Sequence, residues 1–412
     1  MKAAAAFLAL AALPATAAAG GFARPNIISA RGVGIGGAFT AIADDPSALH
    51  FNPAGAAWAD AGFMIGVEVV DAPRTYTPID ADGNRGAAQE AKPLVPVPAA
   101  GVLVRFEQDD VPSRITFGAG LWNTFGGSLD YDRFPDPNTP AINSTEDLAL
   151  ELAVGGAYEV DDMLAIGAAV RLGLGIFSVD ASAHPLDSNL SGVGLGVGAT
   201  VGVMFRPVDA FTLGAAWRTP LTIATAGSGT IATGGTDMDV DFEHVQHWPQ
   251  QASFGVVIAP VRTVKVAAQA DWTQWSTNTS LVLDFPSSPS LRQVFPLDWQ
   301  DSFAFRGGLE VAPTHMLRLR AGGYYDSNAV PDRTIERQYQ DVNKFGASAG
   351  GTVHLGSDWR IDAAFDYALP ASRIVPDNRR DLPPQWTADA NTAPGEYESS
   401  YLTVELAVAR RL

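Results

Sequence analysis

From about residue 60 onward, apolar positions alternate with polar or small ones over stretches of about ten residues. Val264, Val266, Ala268, Ala270 and Trp272 alternate with Lys265, Gln269 and Asp271. Phe303, Phe305 and Leu309 alternate with Arg306 and Glu310, and Leu317 and Leu319 with Arg318 and Arg320. The same period sets Ile361, Ala363, Phe365 and Tyr367 against Arg360, Asp362 and Asp366. It sets Leu402, Val404, Leu406 and Val408 against Thr403 and Glu405. A period of two puts successive side chains on opposite faces of a strand. These segments therefore predict strands with one apolar face and one face carrying charges of both signs. A soluble sandwich would turn the apolar face inward; a transmembrane barrel would turn it to lipid, around a hydrated lumen.

The turns separate the two. Short polar turns recur near Asp109, Asp161, Asp209, Arg262, Thr314 and Ser357. Longer irregular segments are expected at 74–93, 126–146, 180–191, 276–298, 326–341 and 370–398. Short turns alternating with long loops are the rhythm of periplasmic turns and extracellular loops. Trp122, Trp217, Trp248, Trp272, Trp275, Trp299, Tyr324, Tyr325 and Trp359 fall near expected strand ends, where interfacial girdles sit. The fold expected is all-β and transmembrane: an antiparallel outer-membrane β-barrel of about fourteen strands.

The N-terminus agrees. Lys2, an apolar run from Ala3 to Leu13, a break at Pro14 and Ala17-Ala18-Ala19 read as a secretory signal peptide over residues 1–19. Residues 20–58 do not alternate, are rich in small side chains and hold two helix-start signals, Asp45-Pro46 and Asn52-Pro53. They are expected to form a small, partly helical plug in the lumen, with residues 59–412 as the barrel. Beyond the signal no stretch has the roughly 18 consecutive apolar residues of a membrane helix. Mean hydropathy is only +0.06 although 47% of residues are hydrophobic, as expected when only alternate positions face lipid. The chain has no cysteine, which removes disulfides and thiolate chemistry. A formal charge of -18 argues against nucleic acid as a partner. Much of the acid falls in segments read as loops, such as Asp130 to Asp136 and Asp237 to Glu243.

Several local patterns bear on chemistry. Gly32-Val33-Gly34-Ile35-Gly36-Gly37 fits G-x-G-x-x-G but lacks the strand–helix context of a dinucleotide site. Close packing inside a barrel accounts for it better. Gly194, Gly196, Gly198 and Gly202 share one strand face, opposite Val193, Leu195, Val197, Val201 and Val203. Glycine weakens a strand unless something approaches closely, so plug or ligand is expected against this stripe. His244 and His247 lie close together but have no accompanying nucleophile or metal motif. No catalytic or metal site and no cofactor is expected.

The plug also carries a resemblance. Gly21-Phe22, Ser29-Ala30-Arg31-Gly32, Gly36-Gly37-Ala38, Ala43-Asp44-Asp45-Pro46-Ser47-Ala48 and Phe51-Asn52-Pro53-Ala54-Gly55 resemble the N-terminal hatch of the FadL/TodX family. That family comprises outer-membrane transporters of long-chain fatty acids and aromatic hydrocarbons. His247-Trp248-Pro249, Asp271-Trp272-Thr273-Gln274-Trp275-Ser276 and Leu317 to Asp326 resemble its later segments. The family commonly ends in an aromatic residue; this chain ends Arg410-Arg411-Leu412. Gln340 to Lys344 is a worn version of a family motif and is assigned no role.

The resemblance implies a monomer in the bacterial outer membrane that takes up hydrophobic small molecules passively. Extracellular loops would capture the ligand and pass it to a pocket near Phe22. Hatch movement, and a kinked strand beside Asn52-Pro53-Ala54-Gly55, would then open a lateral exit to the membrane lipids. A carboxylate ligand would need a buried cation. Arg306 is the first candidate, then Arg171, with Lys265, Arg318 and Arg320 also facing the lumen; Gly196 and Gly198 complete the ligand-binding expectation. The alternatives are a general diffusion porin and an outer-membrane barrel hydrolase.

Overall fold

A strand crossing a bilayer must pair both its edges, because hydrocarbon offers backbone N–H and C=O groups no partner. This chain does so by closing on itself. The structure, a computed structural model, describes residues 28–80, 82–108, 111–131, 141–182, 187–233, 236–375 and 394–412. The expected signal peptide and Phe22 lie outside them.

Twenty strand segments form one antiparallel sheet that closes as a 14-strand barrel. The first staves are β1 (Gly62–Asp71) with β2 (Arg74–Pro78) above it, then β3 (Gln89–Ala91) leading into β4 (Leu94–Gln108). β5 (Val111–Asp130), β6 (Ala141–Glu159), β7 (Leu164–Ser182) and β8 (Asp187–Val208) follow. Two staves are interrupted at a proline. One is β9 (Phe211–Arg218) plus β10 (Leu221–Thr233), the other β11 (Thr236–Trp248) plus β12 (Gln251–Val261). β13 (Val264–Thr273) leads through β14 (Ser280–Asp284) and β15 (Gln293–Pro296) to β16 (Ser302–Val311). β17 (Leu317–Asp326), β18 (Lys344–Leu355), β19 (Trp359–Val375) and β20 (Gly395–Arg411) complete the wall. β20 pairs β1, with Val404 opposite Val69 and Leu406 opposite Val67.

The alternation has the expected sense. Phe303, Phe305 and Leu309 are exposed on the outer wall, while Arg306 and Glu310 are buried inside. Short turns at 160–163, 209–210, 262–263, 312–316 and 356–358 mark the periplasmic end.

Two expectations are corrected. The described residues of segments 126–146 and 180–191 are almost all strand, because β5 to β8, at 19–22 residues, are about twice as long as a strand needs to cross a bilayer. Asp237 to Glu243 likewise lies in β11 and not in a loop. Asp237, Asp239, Asp241 and Glu243 point outward, while Val240 and Phe242 point in. Here the alternation reverses its meaning. Outward side chains meet water, while Phe177, Val179, Leu190, Val240 and Phe242 pack inside on Leu283, Phe285 and Phe295. Trp122, Trp248, Trp275 and Trp299, expected in interfacial girdles, are also buried inside the barrel.

Residues 28–57 fill the lower lumen and are almost all buried. The segment is two short helices, Ala30–Gly34 and Ala48–Phe51, and a 3-10 turn, Pro53–Ala57. Asn52 caps that turn, its side chain accepting from Ala54 N, with Pro53 in the first position. Asp45 accepts hydrogen bonds from the backbone N–H and the hydroxyl of Ser47, so the helix starts slightly later than the sequence suggested. The G-x-G-x-x-G glycines serve packing. Gly36 has φ +71°, and a Cβ there would stand 2.8 Å from Gly323 N.

Candidate functional site

Between β4 and β5 the barrel wall is unzipped. Pairing between β4 and β5 ends at Ala100 opposite Leu121. Beyond it β4 stays bonded to β1 as far as Leu94, and β5 stays bonded to β6 as far as Asp130. The sequence supplies a cause on each side. Pro96 and Pro98 pair with Val69 and Val67 of β1. Having no N–H, a strand proline can sit only where the missing donor faces no partner, here the edge toward β5. On β5 the register slips between Asn123 and Phe125, and Thr124, Phe125 and Gly126 are buried in succession. A straight strand cannot bury three residues running, so β5 bends into the lumen. Gly126 has φ +99°, and a Cβ there would fall 1.9 Å from Asp147 O; only glycine fits.

A buried ion cluster joins this bend to the hatch. Glu151, 0% exposed, accepts from Thr124 of the bulge. It also accepts from Arg171 Nη1 at 3.1 and 3.2 Å, and from Arg218 Nη2 at 3.0 Å. Arg218 Nη1 lies 2.9 Å from Nδ1 of His50, in the second hatch helix. The His50 ring packs edge-on to Trp122 at 6.0 Å. Burial, then Arg218 and Arg171, hold His50 well below the usual imidazole range, so it is neutral.

The opposite side of the hatch is held by charge. Arg31 pairs with Asp44 at 2.6 Å and Asp45 at 3.1 Å, and Arg360 of β19 reaches Asp45 at 3.4 Å. Burial opposes ionisation of Asp44, but Arg31 and Lys265 outweigh it and hold the carboxyl below its ordinary range.

Above the hatch the lumen is aromatic. Phe125 stacks on Trp248 at 5.3 Å and meets Trp275 edge-on at 6.1 Å. Trp275 meets Trp299 at 5.3 Å, and Trp299 meets Tyr339 at 5.7 Å. These rings run from the bend in β5 to the extracellular loop 327–343. A parity signal was available in the sequence: Trp248 shares the phase of His244 and Gln246, both buried.

The residues singled out from sequence do not converge on one place. Arg306 pairs with Asp271 at 2.7 Å and lies against Gly37 of the hatch. Arg171 belongs to the Glu151 cluster and fills the space over Gly198. Gly196 lies beneath Ile223, and Gly202 beneath Asn52. Thus the hatch meets the glycine stripe at Gly202, whereas wall side chains cover Gly196 and Gly198. Arg320 and Arg318 pair with Glu310 at 2.7 and 3.2 Å, and Lys265 reaches it at 3.8 Å. Asn52 donates to Thr40 O at 3.0 Å and Val203 O at 3.1 Å. Pro53 and Ala54 press on Gly167 of β7, and Gly55 packs on Ala43. The motif therefore seats on β7 and β8, and the link to bent β5 runs through His50. His244 points inward and His247 outward along β11, yet both border the small cavity beside Trp248, Trp275 and Tyr339.

A closed barrel, a lumen filled by its own N-terminal segment and apolar rings above that segment define a plugged outer-membrane transport channel. The family model "Outer membrane protein transport protein (OMPP1/FadL/TodX)" matches residues 10–394, and the chain belongs to that family. The family is made up of transport channels, not enzymes. Among solved structures, the chain is similar to a Pseudomonas aeruginosa FadL homologue, at TM-score 0.78 and 18% identity, covering 95% of this chain and 99% of that one. The Pseudomonas putida toluene transporter TodX aligns at TM-score 0.72 and 17% identity, covering 95% and 99%. The Ralstonia pickettii toluene transporter TbuX aligns at 0.67 and 16%, covering 92% and 97%. No curated protein matches the chain. The protein is an outer-membrane transporter of hydrophobic compounds.

Proposed function

We propose that this transporter, acting as a monomer, passes an uncharged hydrophobic molecule from its extracellular loops along the lumen aromatics. The molecule then leaves sideways between β4 and β5 into the membrane lipids. The observation that carries this reading is the unzipped β4–β5 edge, with Phe125 of the aromatic row on the bend that opens it. The physical direction is favourable, since an apolar solute gains about 0.8 kcal/mol per CH₂ removed from water. Axial exit would instead carry it through the hatch and the charged groups around Glu310. A carboxylate head group would find Arg306 already held by Asp271 and Arg171 by Glu151. An anionic ligand must break such a pair; a neutral one need not. Two structural neighbours are described as toluene transporters, which fits an aromatic hydrocarbon before a fatty acid.

The test is uptake of radiolabelled toluene and oleate by cells with and without the protein, beside planar-bilayer recordings of the purified barrel. Toluene uptake with no steady ion conductance is expected. Steady conductance without selective uptake would establish a diffusion porin instead.

A further inference from the structure

Loop 327–343 has the composition of an exposed loop, yet it is folded into the mouth of the barrel. Thr334, Glu336, Arg337, Gln338, Gln340 and Asp341 are all buried, Arg337 at 0% exposure. Buried side chains of this kind need partners, and four other extracellular segments supply them. Arg337 donates to Gln89 and to Ile142 O, and Tyr131 donates to Arg337 O at 2.9 Å. Arg74 donates to Gln340 O at 3.1 Å, Gln340 to Glu398 O at 2.9 Å, and Thr334 to Leu297 O. Each ties the loop to the upper wall or a neighbouring loop by a bond that water can replace, so the loop is closed without being part of the sheet.

Within this polar run Tyr339 alone sends a ring into the lumen aromatics. It lines a residual cavity of about 30 Å³ together with Trp248, Trp275, Trp299 and Asp147. We propose that these rings form a binding site for one planar aromatic ring. Tyr339 occupies the site in the resting protein, and loop 327–343 is the outer gate that must lift to admit the ligand. The proposal rests on the uptake reading above and adds to it where the ring is held and how that place is guarded.

Three features favour a single neutral ring. The present occupant is itself one ring, and an apolar cavity on the order of 150 Å³ accepts benzene; the void beside Tyr339 alone is far smaller. Asp147, His244 and His247 are the titratable side chains other than Tyr339 lining the cavity among the described residues, with no Lys or Arg, so a ligand carboxylate would find no permanent cation there. Trp248 Nε1 is buried and has no hydrogen-bond partner among the described residues, leaving one donor for a ring face or substituent.

The experiment uses the purified full chain in detergent, with toluene and oleate as probes and tryptophan fluorescence as readout. Tyr339→Ala is expected to bind toluene at least tenfold more tightly than the wild type, with no comparable gain for oleate. Tyr339→Phe, which keeps the ring in the site, should show none of that tenfold gain. Trp248→Ala in the Tyr339→Ala background should reverse the gain. Equal gains for both probes, or no gain for toluene, would overturn the proposal. A second measurement does not depend on emptying the site. The chain has no cysteine, so Thr334→Cys with Leu297→Cys, two residues already joined by a hydroxyl–carbonyl hydrogen bond, can lock the loop. Oxidation should stop toluene uptake and a reductant should restore it; uptake through the oxidised, locked protein would also overturn the gate. Wild-type protein that takes up no hydrophobe at all would instead defeat the transport reading itself.

Discussion

His50 Nδ1 and Arg218 Nη1 stand 2.9 Å apart in a buried contact between hatch and wall. Arginine only donates, so Nδ1 must accept and the proton of the neutral ring sits on Nε2. The contact is therefore conditional on the charge of His50.

That condition sets a pH dependence. His50 is held well below its ordinary value of 6.5 by burial, Arg218 and Arg171. A seated hatch thus binds fewer protons than an unseated one between the two values. Its stability rises with pH in that window. The contribution is complete above about pH 6.5 and is lost as pH falls toward the depressed value. Amide protection over residues 45–58, corrected for the pH dependence of intrinsic exchange, should be lower at about pH 5.5 than at about pH 7.5. His50→Gln, which still offers an acceptor but does not titrate, should flatten the dependence. Identical profiles for the two proteins would mean that another group controls the hatch.

Glu151 carries a heavier load, because it is the carboxylate partner of both Arg171 and Arg218. Glu151→Gln leaves two buried guanidinium groups without their counter-charge. Breaking a buried pair in this way costs about 3–5 kcal/mol. The unfolding temperature, followed by gel mobility of heated and unheated protein, should fall markedly. Glu151→Gln with Arg171→Gln should recover part of the loss, since the second change removes a stranded charge. Purely additive losses would mean that the cluster is not coupled.

The barrel was legible in the sequence because its rule is local. A period of two with charges on one face needs only neighbouring residues, and the short turns near Asp161, Asp209, Arg262, Thr314 and Ser357 stand where the alternation stops. The hatch was legible because Asn52-Pro53 is a capping signal in itself. What escaped depends on surroundings. Asp237 to Glu243 keeps the same period but reverses its meaning above the membrane, where water replaces lipid outside. Trp248 and Trp275 lie near strand ends as girdle residues do; the phase of β11 reveals that Trp248 points in, while Trp275 is turned in by the 3-10 turn that follows β13. Pro96 and Pro98 look like a weak strand until one sees that the strand has a free edge. Arg337 and Tyr339 gave no signal, because their burial comes from loops far away in sequence.

Asn52 bonds within the hatch and also bonds the hatch to the wall. Its side chain donates to Thr40 O and Val203 O and accepts from Ala54 N. Asn52→Ala removes three bonds worth about 1 kcal/mol each, and 1.4 kcal/mol is a factor of ten in population. Of these, only the bond to Val203 joins hatch to wall, so seating should weaken about fivefold from that bond alone and about a hundredfold where the hatch unfolds as it leaves, with the barrel sheet untouched. Steady ion conductance should then appear in planar bilayers, with the unheated gel mobility of the folded barrel unchanged. Gly202→Val, which puts a side chain where Asn52 Oδ1 lies 1.9 Å from the Cβ position, should do the same. A sealed channel in both variants would show that the hatch is held chiefly by its charged side.

The wall gap can be tested at its cause. If Pro96 and Pro98 keep β4 from pairing with β5, supplying the missing donors should let the edge close. Pro96→Thr with Pro98→Thr restores two N–H groups on a strand otherwise well paired to β1, and threonine suits a half-buried strand. Closure also needs the bend in β5 to relax, and Gly126 at φ +99° opposes that. The double variant alone should therefore lower hydrophobe uptake only in part. Restoring a straight strand as well, by deleting Thr124 at the bulge, should abolish uptake. Barrel assembly should be as good or better, because more backbone is bonded. Ligand binding in detergent should survive in the double variant, since Trp248, Trp275 and Trp299 are untouched. Uptake that persists in a well-assembled triple variant would place the exit elsewhere in the wall.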